Sequence, residues 1–276
     1  MSPRSSRSPD QLSHDTRRYP DLVSPHPFLR RSTPLAVAHR GGTEAAPENS
    51  VAAFSAAVSV GFTHLETDVH LSADGVLVAF HDDVLDRVTD GSGAISEMTW
   101  DQIGSVRIGA AEPIPRLEEL LEAFPDAWFN VDPKADDSVV ALVRVLRQQR
   151  AVERVCIGAF SDRRLRRMRE LAGASLCTSA GPREIAALTA AARLGRGAGL
   201  LGGAYQCVQV PVRHKGVEIV TPAFISAAHD SGKPVHVWTI DDPTEMHRLL
   251  DMGVDGIMTD RPSTLRSVLE ERGEWQ

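Results

Sequence analysis

Short apolar runs alternate with helical patterns along the chain from Leu35 onward, and this alternation limits the fold more than any other feature of the sequence. Strands that alternate with helices form parallel βα units, and eight such units close into a barrel. The sequence contains eight runs of the kind expected for barrel strands: 35–39, 63–69, 128–132, 155–159, 175–179, 206–210, 235–239 and 256–259. We therefore predict an α/β fold, a TIM (β/α)8 barrel.

One further apolar run, at 76–80, does not fit this alternation because it follows the second strand after only a four-residue turn signal. A parallel neighbour needs a crossover of a dozen residues or more, so this run must return as an antiparallel hairpin. We predict that it belongs to a small insertion after strand 2, at about 70–115, and that it brings His81 back toward the end of that strand. The later part of the insertion, 89–114, is predicted to be a loop with one short helix.

The first 33 residues differ in composition from the rest of the chain. They are rich in Ser, Pro and Arg and lack apolar periodicity, so we predict a disordered or loosely packed arm at 1–33 and one barrel domain at 34–276. The arm lacks the apolar run of a secretory signal, and no stretch approaches the ~18 consecutive apolar residues of a membrane span. We expect a cytoplasmic protein without stable membrane insertion.

Charge and cysteine content narrow the classes of partner. The net charge of −7 argues against nucleic acid, because no basic excess is available to neutralise phosphates. The three cysteines, Cys156, Cys177 and Cys207, lie in predicted strands, and we expect buried free thiols rather than disulfides. A small-molecule substrate remains as the expected partner, and the oligomeric state stays open.

Acidic residues stand where two neighbouring strands end. Glu66 and Asp68 are two residues apart on one strand, so both side chains point to the same face. Adjacent carboxylates repel each other unless a cation lies between them. Asp132, which closes the next barrel strand, offers a third carboxylate, although whether it would bind directly stays open. Such oxygen ligands suit Mg²⁺ or Ca²⁺ better than zinc, so we predict one divalent cation, Mg²⁺ or Ca²⁺.

Two histidines and two basic residues accompany these carboxylates. His39 and His81 follow apolar runs and suit the general acid and base of phosphodiester cleavage, in an order that the sequence leaves open. Arg40 supplies a planar fork for phosphate oxygens, and Lys134 is placed to reach the same group.

Two more residues complete the predicted site. Glu48, just before the first helix, is a candidate for holding another site residue in place. Trp238 ends the seventh predicted strand at the barrel mouth. It would line the pocket for an apolar or glycerol-like part of the substrate, or it would serve only in packing.

Taken in order, these motifs resemble the glycerophosphodiester phosphodiesterase family from about Leu35 to Arg266. The resemblance implies a TIM barrel with an insertion after strand 2 and hydrolysis of glycerophosphodiesters to an alcohol and sn-glycerol 3-phosphate. The motifs that carry it are His39-Arg40-Gly41, Pro47-Glu48-Asn49-Ser50, Glu66-Thr67-Asp68-Val69, Asp74-Gly75, His81-Asp82, Asp132 with Lys134, Trp238-Thr239 and Gly256-Ile257-Met258-Thr259-Asp260.

The resemblance also implies roles for individual residues. His39 and His81 correspond to the acid and base, and Arg40 and Lys134 to the phosphate-binding residues. The metal ligands implied are Glu66, Asp68 and Asp132. The third ligand is commonly Glu in that family, so Asp132 is a departure, one methylene shorter.

Two other functions remain open at this point. A lysophospholipase D would use the same barrel and metal site on lysolipids, and an apolar rim near the mouth, for which 195–203 is the candidate, would favour it. A non-catalytic barrel that binds a phosphodiester is the other alternative, although the complete set of histidines and carboxylates weighs against it.

Overall fold

The computed structural model describes residues 26–30, 33–195 and 203–275. Its strands are β1 (Leu35–Ala38), β2 (His64–Leu71), β3 (Leu77–Ala79), β4 (Arg107–Ile108), β5 (Glu112–Pro113), β6 (Trp128–Pro133), β7 (Val155–Ile157), β8 (Cys177–Thr178), β9 (Val208–Pro211), β10 (Arg213–His214), β11 (Val217–Glu218), β12 (Val235–Trp238) and β13 (Gly256–Thr259). Its helices are α1 (Val51–Ser59), α2 (Trp100–Gly104), α3 (Leu117–Ala123), α4 (Ser138–Gln148), α5 (Asp162–Ala172), α6 (Pro182–Arg193), α7 (Pro222–Asp230), α8 (Pro243–Met252) and α9 (Pro262–Glu271).

Parallel strands form the barrel wall in the order β8-β7-β6-β2-β1-β13-β12-β9. The two ends of this sheet meet where Ser179 and Cys207 form a parallel bridge. There the Gln206 N–H donates to the Thr178 carbonyl at 2.9 Å, and the Ala180 N–H donates to the Cys207 carbonyl at 2.9 Å. The predicted TIM barrel is confirmed.

The alternation of side chains along β2 shows how the barrel wall separates the barrel interior from the apolar layer under the helices. Leu65 and Val69 join the apolar layer between the sheet and the surrounding helices. Because successive side chains of a strand point to opposite faces, Glu66 and Asp68 point into the barrel. The packing of β2 therefore directs the two carboxylates inward, where they are 4% and 2% exposed.

The insertion after strand 2 forms a small unit with its own core. β3 returns antiparallel to β2, with Val69 opposite Ala79, as the short turn predicted. Segment 89–114 contains the predicted helix, α2, but also the β4–β5 hairpin where a loop was expected. Each of these strands has only two residues, too few for a recognisable alternating pattern. The core of the insertion comprises Val78, Phe80, Leu85, Ile95, Ile103, Val106, Ile108 and Ile114.

The described residues of the N-terminal arm pack against the end of the barrel opposite the strands' C termini. Phe28 is 1% exposed, and its ring meets those of His64 and Trp128 at centroid distances of 4.9 and 6.0 Å. The expectation of a loose arm over 1–33 otherwise falls on 1–25 and 31–32, outside the described residues. In the part of the chain that the structure describes, every helix is too short or too polar to cross a membrane.

An ion pair between α7 and the start of β13 should make stability depend on pH. His229 Nε2 lies 2.7 Å from Asp255 Oδ2, which also accepts a hydrogen bond from the Val235 N–H at 2.7 Å. The hydrogen bond with Asp255 raises the pKa of His229, although burial opposes it. Its contribution is therefore complete below the unfolded pKa of about 6.5 and is lost as the pH rises through the raised folded pKa.

We predict that His229→Gln lowers the free energy of unfolding by about 1 kcal/mol near pH 6 and by less near pH 9. Urea denaturation at the two pH values measures the difference. His247→Gln is the control, because His247 pairs with Glu271 only at 3.5 Å and between exposed side chains. An equal loss at both pH values would contradict the prediction.

Candidate active site

The strands' C-terminal ends open into a cavity of about 900 Å³. This volume lies toward the upper end of the ~300–1,000 Å³ typical of small-molecule sites. The predicted site residues that line it are His39, Arg40, Glu66, Asp68, His81, Asp132, Lys134 and Trp238. Glu48 lies behind Arg40, whose Nη1 donates to Glu48 Oε1 at 3.0 Å. The fold thus brings the predicted residues into one place.

The register between two neighbouring strands places Asp68 and Asp132 side by side. The two residues stand opposite each other on β2 and β6. Lys134 Nζ bridges them, 2.6 Å from Asp68 Oδ1 and 2.9 Å from Asp132 Oδ2. The other oxygen of each, Asp68 Oδ2 and Asp132 Oδ1, is buried without a hydrogen-bond partner. Two carboxylate oxygens are therefore buried without a hydrogen bond.

Burial dominates the electrostatics of this group. It raises the pKa of Glu66 to about 7, and the charge of Asp68 adds to the rise. Burial also raises the pKa of Asp132 despite the nearby ammonium of Lys134. Burial lowers the pKa of Lys134, but Asp132 and Asp68 outweigh it and the net shift is upward. The raised pKa values of Glu66 and Asp132 indicate that the positive charge nearby is too small to keep all of these carboxylates ionised.

These residues fit a hard divalent cation. All three side chains offer carboxylate oxygens, which Mg²⁺ and Ca²⁺ prefer. Asp132 Oδ1 and Asp68 Oδ2 make no hydrogen bond, although Arg40 Nε lies 3.2 Å from the latter, and a cation would favour the charged form of Glu66.

His39 is held by a carboxylate that was not among the predicted site residues. Its Nδ1 lies 2.7 Å from Asp260 Oδ1, and its Nε2 lies 3.8 Å from Glu66 Oε2. Burial lowers the pKa of His39, but the charge of Glu66 and the hydrogen bond with Asp260 outweigh it and raise the pKa overall. The pairing of Ala38 with Thr259 in β1 and β13 places the two following residues side by side.

Arg40, the residue after His39, has a left-handed backbone conformation with φ 53°, which is uncommon for a residue other than glycine. This conformation lets its N–H donate to Glu66 Oε2 at 3.0 Å. Its Nε lies 3.2 Å from Asp68 Oδ2, and its Nη1 reaches Glu48. One residue therefore contacts three acidic side chains.

The second histidine is anchored by a chain of charges from the insertion. His81 Nδ1 lies 2.5 Å from Asp82 Oδ1, and Arg87 Nε donates to Asp82 Oδ2 at 2.5 Å. Arg87 also contacts Glu48 Oε1 at 2.7 Å, which connects this side of the cavity with Arg40. The hydrogen bonds from Arg87 and His81 lower the pKa of Asp82 to about 2, so Asp82 is ionised at neutral pH. Sequence reasoning missed Arg87, because nothing in its local pattern marks it.

One wall of the cavity is apolar, and sequence reasoning identified only Trp238 among its described residues. Phe160, Leu194 and Val217 are 65%, 67% and 44% exposed. Trp238 belongs to this wall, and its ring meets that of Phe160 edge to face at 5.6 Å. The expected rim at 195–203 falls largely on 196–202, outside the described residues. Among the described residues, the wall comes from the end of α6, the β10–β11 hairpin and the segment after β7.

Comparison with known proteins gives consistent results. A model described as "Glycerophosphoryl diester phosphodiesterase family" matches residues 39–264. The chain is 43% identical over 251 residues to "Probable glycerophosphodiester phosphodiesterase 2" of Mycobacterium tuberculosis, covering 90% of this chain and 95% of that protein. It is 28% identical over 264 residues to "Glycerophosphodiester phosphodiesterase" of Caldanaerobacter subterraneus, covering 87% and 99%.

A solved structure shares the fold over nearly the whole barrel. The crystal structure of a Silicibacter pomeroyi protein, assigned to the glycerophosphoryl diester phosphodiesterases, superposes with a TM-score of 0.75 at 25% identity. The match covers 91% of this chain and 97% of that one.

The carboxylate behind His39 should control its titration. We predict that Asp260→Asn lowers the pKa of the His39 imidazole, because the substitution removes a negative charge that stabilises the protonated ring. NMR titration of the imidazole resonances measures the shift. Asp242→Asn, which alters the exposed N-cap of α8, is the control. An unchanged His39 pKa in Asp260→Asn would show that Asp260 does not act on the ring.

Proposed function

Because this chain belongs to the glycerophosphoryl diester phosphodiesterase family, and is thus a phosphoric diester hydrolase, we propose that it cleaves glycerophosphodiesters to an alcohol and sn-glycerol 3-phosphate with one divalent cation and two histidines. One observation carries the proposal. Three carboxylates lie in the same cavity as two histidines, and each histidine is held at Nδ1 by a further carboxylate.

The carboxylates would hold the cation. Glu66, Asp68 and Asp132 would supply its oxygen ligands, and the buried oxygen of each aspartate that makes no hydrogen bond supports this assignment. Bound there, Mg²⁺ or Ca²⁺ supplies charge stabilisation for the phosphate and lowers the pKa of a coordinated hydroxyl. Asp132 is one methylene shorter than the glutamate usual in the family, and the strand register places it directly opposite Asp68.

The basic residues would bind the phosphate. Arg40 and Lys134 both line the cavity beside the carboxylates, and their positive charges oppose the charge that develops on the phosphate oxygens. Arg40 is fixed in direction by Glu48, so its fork is oriented before the substrate enters.

The histidines would move the protons. His39 and His81 each have Nδ1 engaged by a carboxylate, which leaves Nε2 for chemistry. One imidazole takes the proton of the attacking hydroxyl or water, and the other gives a proton to the departing alcohol. A neighbouring glycerol hydroxyl as the nucleophile would give a cyclic phosphate that water then opens.

Removal of either imidazole should stop the reaction. We predict that His39→Ala and His81→Ala each lower the release of glycerol 3-phosphate from glycerophosphocholine by at least about 100-fold. Circular dichroism should show a retained fold. His247→Ala, on the outer helix α8, should keep full activity. Full turnover in His39→Ala would contradict the assignment of that residue.

Activity should require the cation. We predict that EDTA abolishes the hydrolysis of glycerophosphocholine and glycerophosphoethanolamine and that Mg²⁺ or Ca²⁺ restores it. Glu66→Gln should raise the cation concentration for half-maximal activity by about tenfold or more, because it removes one ligand charge. Glu97→Gln, an exposed carboxylate outside the cavity, is the control. Undiminished activity in EDTA would refute metal dependence.

The apolar wall favours a second candidate, lysophospholipase D activity. A lysolipid carries an acyl chain that could cover Phe160, Leu194 and Val217, which a water-soluble diester leaves exposed. Cleavage would release the headgroup alcohol and leave an acylglycerol phosphate.

Substitutions in the wall distinguish the two substrate classes. For a lysolipid substrate, Phe160→Ala should lower kcat/KM for lysophosphatidylcholine by about tenfold or more, since burying a Phe side chain contributes about 1.5–3 kcal/mol. The kcat/KM for glycerophosphocholine should not change. Val140→Ala, at an exposed position on α4, is the control. Failure of the wild type to cleave lysophosphatidylcholine would exclude this candidate.

A further inference from the structure

The three cysteines of the chain meet inside the barrel, below the floor of the active-site cavity. Cys156 on β7 pairs in register with Cys177 on β8, and Cys207 directly precedes β9. Their Sγ atoms all lie within 4.8 Å of one another, and those of Cys156 and Cys207 are 3.8 Å apart. All three residues are fully buried. Among the described residues this is the tightest convergence of metal-ligating side chains.

The geometry of the three sulfurs differs from that of a disulfide. A disulfide needs an S–S distance of about 2.05 Å, and all three thiols are free. Three neighbouring strands direct their sulfurs to one point. Below that point Phe28 and Leu29 close the barrel, so the sulfurs are shielded from water.

A buried histidine on a neighbouring strand has no partner for one ring nitrogen. His236, on β12 next to β9, is 2% exposed, and its Nδ1 makes no hydrogen bond. Its Cδ2 lies against Gly256 on the other side, where a Cβ would stand only 2.9 Å away, so glycine makes room for the ring. His236 stands opposite Gln209 in the register of β12 and β9, and Gln209 follows Cys207 by two residues, so both belong to the same face of the strand.

We infer that this cluster is a second metal site, which binds one soft cation, Cu⁺ or Zn²⁺, through the thiolates of Cys156, Cys177 and Cys207. Thiolates select such cations, whereas the carboxylates above select hard ones. Binding releases up to three thiol protons to solvent as the metal–sulfur bonds form. Three sulfurs suffice for Cu⁺, whereas Zn²⁺ requires a fourth ligand. His236 Nδ1 lies outside the group of atoms within 4.8 Å of one another, so the imidazole would have to move toward the sulfurs to bind Zn²⁺.

Native mass spectrometry of the whole chain tests this inference directly. The reduced, EDTA-treated protein is loaded anaerobically with Cu⁺ or with Zn²⁺ and then exchanged into Mg²⁺ buffer. We expect one Cu⁺ or one Zn²⁺ per chain, with a mass that accounts for the lost protons. X-ray absorption of the loaded wild type should show sulfur ligands at about 2.3 Å for zinc. A wild type that retains neither ion, or an absorption spectrum without sulfur ligands, would overturn the site.

Variants assign the ligands. Cys177→Ala should lose the bound ion, whereas Val37→Ala, in the same buried cluster but with all three sulfurs kept, should retain it. His236→Asn should lower zinc retention and leave Cu⁺ retention unchanged. Stoichiometric loading of Cys177→Ala would refute the sulfur site, and undiminished zinc loading of His236→Asn would remove the histidine from it. Glycerol 3-phosphate release depends on other residues. It is therefore measured in a separate assay, and its result does not bear on the sulfur site.

Discussion

The burial of Glu66 and Asp68, and the near burial of Asp132, at the barrel mouth is the constraint on which the rest of the site depends. Glu66, Asp68 and Asp132 point inward because the opposite faces of their strands pack against helices, and burial raises the pKa of Glu66 and Asp132. Charge that is buried in this way must be neutralised by protons, basic side chains or a cation. Arg40, with its left-handed backbone, and Lys134, which bridges two of the acids, provide part of that neutralisation.

The barrel and most of its site could be predicted because their signals are local. Alternating strands and helices gave the right number of βα units, and a turn too short for a parallel crossover required β3 to pair with β2. That hairpin carries His81 to the cavity that also contains His39. Side-chain alternation and the position of each strand end were sufficient to bring the two histidines and the carboxylates together.

Contacts between distant segments could not be predicted. Asp260 belongs to a recognised motif, but its contact with His39 follows from strand order. Arg87 has no distinctive local pattern, and its role follows from the folding of the insertion. The apolar wall is assembled from three segments, so no single stretch looks like a lipid-binding element. Each cysteine looked like an ordinary buried strand residue, and only closure of the barrel brings Cys207 to the other two.

The two proposed metal sites would give one barrel two kinds of metal chemistry, with oxygen ligands at the mouth and sulfur ligands below. The carboxylates at the mouth are proposed to hold the cation for phosphodiester cleavage. Anomalous X-ray diffraction from a crystal soaked in Mn²⁺ would locate that cation. We expect one strong peak in contact with oxygens of Glu66, Asp68 and Asp132. A fully soaked crystal with no peak there, or with manganese held by other residues, would contradict this assignment.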